Sequence, residues 1–369
     1  MAAKKILNFG AGPAKLPQEV LQKVQRELID YHGEGISILE MSHRSKTYAG
    51  INDGAQQKLR LLLNIPENFK ILFLQGGGTG QFASVPLNLI GKTGKADYIV
   101  TGNWSRLAAK EAEQYGKVNY VLPETKTFIG PPPKDQWKFT PDASYVYICD
   151  NETVYGVEYP EVPDTNGVPL VADMSSNFLT RTIDFSKYGA IFAGAQKNVG
   201  PAGVTIVIIR EDLLNNALPV CPTVLNYTIM ARDNSLHNTP PVFSIYVMDL
   251  VFNWIKSQGG LKEMNRRSQV KSGLIYDTMI ATKGFYSCPV NKSSRSRINI
   301  PFRIVPADVA KQAELEEKFL AGAEDLGMIQ LKGHRSVGGI RASLYNAVGV
   351  EDVQALADYM TNFYETASK

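Results

Sequence analysis

Cysteine is scarce in this 369-residue chain, and the three present do not cluster. Cys149, Cys221 and Cys288 stand far apart, with no C-x-x-C pair. An odd, scattered set argues against a disulfide framework and a thiolate metal site, and it fits a reducing compartment. Long apolar runs are also missing: none approaches the roughly 18 residues of a membrane span. The first residues, M-A-A-K-K-I-L-N-F-G, hold neither an apolar signal core nor an Arg-rich amphipathic stretch, so a cytoplasmic protein is expected. Strong charge of one sign is absent. A net charge of +3 gives no reason to expect a nucleic-acid partner. Q-G-G-G-T-G-Q at 75–81 lacks the glycine spacing of a dinucleotide fingerprint and the G-K-[ST] of a P-loop. Low-complexity tracts and internal repeats are missing too.

What is there is a chain long enough for two domains. Short apolar runs recur at 70–75, 98–101, 120–122, 145–149, 169–172, 190–193 and 204–209, with helix-sized connections between several of them. This alternation predicts an α/β layer fold with a mostly parallel sheet of about seven strands. Helices are expected from Pro17, over 46–64 and over 81–90. Beyond Gly259-Gly260 the texture changes. Ile298, Ile300, Phe302 and Ile304 alternate, as in a strand buried on one face. Helical patterns over 313–326 and 351–364 flank a further strand at 337–345. The expected division is a large domain over 16–265 and a smaller α+β domain over 266–369, with 1–15 joining the smaller one.

Two of the apolar runs end in chemistry. Asp173 follows Pro169–Ala172, and Lys197 follows Ala190–Ala193 by four residues. Functional groups gather at the carboxyl ends of buried parallel strands, so an acid and a lysine there would face one crevice. Pyridoxal 5'-phosphate (PLP) needs this pair: a lysine forms a Schiff base with it, and an acid keeps its pyridine nitrogen protonated. Such a lysine should titrate well below the ~10 of a free amine. Taken singly, each residue reads more readily as a strand-end acid or a loop lysine; the other motifs reverse that. The glycine turn at 76–80 reads as a phosphate cradle at a helix start or as a plain tight turn. Trp104 reads as core or as a stacking face for a flat ligand. Thr153, in N-E-T, offers a hydroxyl to a phenolic oxygen. His43-Arg44, His334-Arg335 and Arg341 are surface charges or anion forks. His237-Asn238-Thr239-Pro240-Pro241 is a polar tip able to cap a phosphate, and His32 reads as a surface helix end.

Together, G-A-G-P, M-S-H-R, G-G-G-x-G-Q-F, N-E-T, A-D-M-S-S, G-A-Q-K-N-x-G-P-A-G, N-T-P-P and G-H-R-x-V-G-G-x-R-A-S-x-Y-N resemble the phosphoserine aminotransferases, class-V PLP enzymes of fold type I. The blocks span nearly the whole chain in order. The resemblance implies a homodimer with shared active sites, small-molecule substrates, and no nucleic-acid or membrane partner. It implies that Lys197 holds the cofactor and moves the proton, while Asp173 binds the ring nitrogen. Trp104 would stack on the ring, and Thr153 would bond its phenolic oxygen. Gly78, Thr79 and Gln196 would hold the phosphate, with Asn238 and Thr239 from the second chain. His43, Arg44, His334 and Arg335 would take the substrate's distal anion, the last two from the second chain, and Arg341 its α-carboxylate. The implied reaction moves the amino group of L-glutamate to 3-phosphohydroxypyruvate. Some members carry Arg where Thr79 stands, so one cation of the distal pocket is missing here.

Other readings divide on single features. A PLP lyase or desulfurase would share Lys197 and Asp173, but a desulfurase needs an activated loop cysteine. A nucleotide-binding oxidoreductase needs the missing fingerprint. A binding protein that had lost activity would be expected to lose the lysine.

Overall fold

The computed structural model describes residues 5–367. Residues 1–4 and 368–369, the outermost parts of the expected smaller domain, lie outside the described residues. A seven-stranded sheet organises the larger part: β1 (Phe69–Leu74), β2 (Lys95–Ile99), β3 (Lys117–Tyr120), β4 (Val146–Cys149), β5 (Leu170–Asp173), β6 (Ala190–Gly194) and β7 (Thr205–Arg210), in spatial order β1-β7-β6-β5-β4-β2-β3. Only β7 runs against the others. The sheet is therefore mostly parallel, and the carboxyl ends of six strands lie along one edge.

The strands read as continuous apolar runs because both faces are covered. On one face Ile71, Phe73, Ile148, Ala172, Ile191, Ala193 and Ile206 pack with α2 (Lys46–Leu63) and α5 (Val242–Ser257). The helix α1 (Gln18–Glu27), started by Pro17, adds Val20 to that layer. On the other face Leu72, Leu74, Tyr147, Val171, Phe192 and Val207 pack with α3 (Gly77–Leu89) and α4 (Asn103–Ala112). Successive residues of one strand thus serve opposite layers.

Two expectations shift in the structure. The helix after β1 starts at Gly77, inside the glycine run, rather than at Gln81. Gly76, at φ 98°, makes the turn in a left-handed conformation open to glycine, and Gly80 N–H already donates to Gly76 C=O at 2.9 Å. The strand expected at 98–101 is β2, at Lys95–Ile99, and past the sheet α5 is followed by α6 (Gly260–Ala281), from which Gly259 with φ 101° separates it.

The second cluster of buried residues is built on the antiparallel strands β8 (Tyr286–Ser287), β9 (Asn299–Ile304) and β10 (Ile340–Ser343), with α7 (Gln312–Asp325) and α8 (Val350–Ala367). Leu7 and Phe9 belong to it, the former on a short strand parallel to Met328–Ile329. Helix α6 serves both clusters. Leu261 and Met264 face the first, Ile275 and Met279 the second, so residue 265 falls within a continuous helix.

Between those pairs lies Lys271, only 2% exposed. Its Nζ donates to the carbonyls of Leu344, Tyr345 and Val348 at 2.9, 2.8 and 2.9 Å. The turn it holds also places Asn346, whose backbone N–H donates to Asn198 Oδ1 at 2.9 Å, next to Lys197. Lys271→Met is expected to cost about 3 kcal/mol, because orphaned buried carbonyls cost about 1–3 kcal/mol each and partly rearrange. An unchanged urea midpoint would show that the turn holds itself. Burial pulls the Lys271 pKa from 10.5 down to about 7. Unfolding then takes up a proton between those values, so the wild type should gain stability over the variant as pH rises through that window.

Candidate active site

The aligned strand ends gather the chemistry. Past β1 comes the glycine turn, past β2 Trp104, past β4 Asn151–Thr153. Asp173 ends β5, and Gln196-Lys197 follows β6. Register explains the meeting of the middle members: Asp173 lies opposite Cys149 on one side and Phe192 on the other.

Gly78, Thr79, Trp104, Asp173, Gln196 and Lys197 line one cavity of about 90 Å³. Lys197 Nζ donates to Thr153 Oγ1 at 2.8 Å. Burial lowers the lysine's pKa, while Asp173 pulls it the other way. Asp173, 5% exposed, has its carboxyl raised by burial and opposed by Lys197. Ser175 donates to Asp173 Oδ1 twice, from its backbone N–H at 2.9 Å and its hydroxyl at 2.6 Å. Gly194 N–H in turn donates to Ser175 Oγ at 3.0 Å, which ties the acid to the end of β6. Arg341, half-buried on β10, reaches across from the smaller sheet, and its Nη1 donates to Thr153 C=O at 3.3 Å. Its guanidinium is near enough to help depress the Lys197 pKa.

The remaining expected residues do not line this cavity within one chain. Asn238 Nδ2 donates to Gln75 Oε1 at 3.2 Å, beside the glycine turn, and Thr239 is exposed next to it. His334 pairs with Ser336 Oγ at 2.7 Å, and burial, Arg341 and Arg335 hold its pKa below the ordinary value. Arg335 is exposed. His43 is half-buried and Arg44 exposed in the turn before α2. His32 is exposed, past the end of α1, with φ 54° and Nε2 3.5 Å from Glu27.

Sequence reasoning missed several lining residues, namely Phe82, Cys149, Asn151, Ser175 and Ser176. The A-D-M-S-S block held a signal for Ser175, since a serine two past an aspartate can turn back onto it. Cys149 is no reactive thiol: burial and neighbouring acids raise its pKa well above 9.0.

The donor set fits PLP. A buried lysine amine of lowered pKa faces a buried acid whose Oδ2 takes no hydrogen bond from the described residues. A helix N-terminus built of glycine borders the same cavity. Two buried donors, Trp104 Nε1 and Arg341 Nε, have no partner among the described residues.

The model of the class-V aminotransferases matches residues 6–356, and the chain belongs to that family. It is a PLP-dependent transaminase. Its relatives are more particular. The phosphoserine aminotransferase of Drosophila melanogaster is 59% identical over 98% of this chain and 99% of its own length. The structure of phosphoserine aminotransferase from Bacillus circulans subsp. alkalophilus superposes with a TM-score of 0.94 at 42% identity, covering 98% of this chain and 99% of that one. PLP-bound phosphoserine aminotransferase from Trichomonas vaginalis gives 0.93 at 40% identity over 96% and 99%.

Proposed function

We propose that this chain transfers the amino group of L-glutamate to 3-phosphohydroxypyruvate, giving O-phospho-L-serine and 2-oxoglutarate, a step in serine biosynthesis. The near-full-length identity to phosphoserine aminotransferases carries the reading, and the geometry supplies its parts. When bound, PLP accepts the electron pair left at the substrate's Cα as its proton departs. Lys197 Nζ is the base: its lowered pKa leaves more free amine at neutral pH than an ordinary lysine has. Thr153 Oγ1 orients that amine. Asp173 balances the positive ring nitrogen, with Ser175 holding its other oxygen. Arg341 takes the α-carboxylate, which both substrates share. A distal anion remains, a carboxylate in one substrate and a phosphate in the other. His334 and Arg335 of a second chain, with His43 and Arg44, suit both because several flexible cations adapt better than one rigid clamp. Gly78, Thr79 and Gln196 would hold the cofactor phosphate, and Asn238 and Thr239 of the second chain would add donors to it. On this reading the enzyme is a cytoplasmic homodimer, with a large domain over 16–265 and a smaller one taking 266–369 and 1–15.

The test is a half-reaction on PLP-loaded enzyme. O-phosphoserine should bleach the visible cofactor band at micromolar to millimolar concentration, and alanine should leave it. Equal bleaching by alanine would assign the distal pocket to a substrate without an anion.

A further inference from the structure

We propose that Glu152 is the positioning residue for Trp104. This rests on the reading of Trp104 as the cofactor's stacking partner. Glu152 is fully buried at the end of the Asn151–Glu152 strand. Its Oε2 accepts from Trp104 N–H at 3.0 Å, and its Oε1 from Ser105 N–H at 2.8 Å and Ser105 Oγ at 2.6 Å. Ser105 Oγ accepts in turn from the backbone N–H groups of Thr101 and Gly102 at 3.0 and 3.2 Å. One carboxylate, 47 residues away in sequence, thus organises the whole first turn of α4. A helix start leaves such N–H groups without intrahelical partners and favours negative charge.

Gly102 is shaped for this carboxylate. A Cβ there would lie 2.3 Å from Glu152 Cδ. Its φ of −179° is ordinary extended backbone, so glycine is needed at 102 for space rather than conformation. All three donors to Glu152 come from the protein, and the carboxylate is not among the groups lining the cavity. It therefore acts through α4. The indole is the group it can set, because Glu152 bonds the backbone N–H of Trp104 itself and Trp104 is among the residues lining the cavity.

Glu152→Gln keeps the shape but turns an NH2 group toward one of the N–H donors. The PLP dissociation constant should rise about tenfold, the equivalent of one charge-assisted hydrogen bond. Quenching of tryptophan fluorescence on PLP addition should fall with it. The decisive form is a cycle with Trp104→Ala, titrating PLP into each apoprotein. If Glu152 acts through the indole, Glu152→Gln costs affinity in the wild type and nothing further in the Trp104→Ala background. Equal losses in both backgrounds, or no loss in either, overturn the proposal. Should Trp104→Ala alone leave PLP affinity unchanged, the stacking assignment is what fails. Gly102→Ala, which pushes the carboxylate aside without removing its charge, carries the same cycle if Glu152→Gln does not fold.

Discussion

Lys197→Ala is expected to fold and to lose turnover by at least about 10⁴-fold, because the proposed function gives this lysine both the covalent tether and the proton transfer. Folding survives because Nζ makes one hydrogen bond, to Thr153 Oγ1. Burial already disfavours its charge, so deleting the amine releases some desolvation cost and stability should change by less than about 2 kcal/mol. The chemistry has no such reserve. Arg341 stays protonated across the neutral range, and Cys149 is held as a thiol by burial. Among the described residues, no base other than Lys197 is hydrogen-bonded to Thr153 Oγ1. Steady-state transamination with glutamate checks the turnover, and urea unfolding checks the fold. Borohydride reduction followed by mass spectrometry gives an independent readout, a cofactor adduct on the peptide holding Lys197 in the wild type and none in the variant. Turnover within tenfold of wild type would remove Lys197 from the reaction.

How much of this could be read in advance depends on where each signal resides. The meeting of Lys197 and Asp173 in one cavity was legible because each follows an apolar run, and parallel strands buried on both faces gather polar groups at their ends. β2 was harder, expected at 98–101 and found at Lys95–Ile99. Its centre carries Asp97, fully buried, which accepts from Asn119 Nδ2 at 2.9 Å and Thr140 N–H at 2.7 Å. A charged residue satisfied by distant partners breaks the apolar pattern without breaking the strand. β3, at the sheet edge, was expected at 120–122 and is found at Lys117–Tyr120, because the apolar run follows buried Val121 while the paired residues Lys117 and Tyr120 are exposed and Val118 and Asn119 half-buried. Glu152 has a different obscurity. Its neighbours in sequence give no hint that it will meet the backbone of Trp104 and Ser105, 48 and 47 residues away, since that meeting is made by strand register. The same limit holds for Asn238, Thr239, His334 and Arg335, whose proposed roles need a second chain.

Asp173→Asn separates function from stability at one atom. Its expected signature is a fall in turnover on the order of 10²–10³-fold, the size of losing one preorganised electrostatic partner, with an apoprotein at least as stable as the wild type. Burial raises the Asp173 pKa from 3.8. The folded state therefore holds that proton more tightly than the unfolded chain. The stability this contributes is complete below 3.8 and is lost as pH rises through the folded value, so at neutral pH the ionised acid costs folding free energy. Asparagine carries no such cost. Its Oδ1 can still accept both bonds from Ser175, at the 2.9 and 2.6 Å positions. What it cannot do is offer an anion to a ring nitrogen. It presents an NH2 group that stabilises the unprotonated ring, the poorer electron acceptor. Thermal unfolding of the apoprotein at pH 7, PLP titration and turnover together decide the point. A destabilised apoprotein with unimpaired turnover would make Asp173 a structural acid of the sheet. A variant that is stable, binds PLP weakly and turns over slowly shows a charge retained for the cofactor against the interest of the fold.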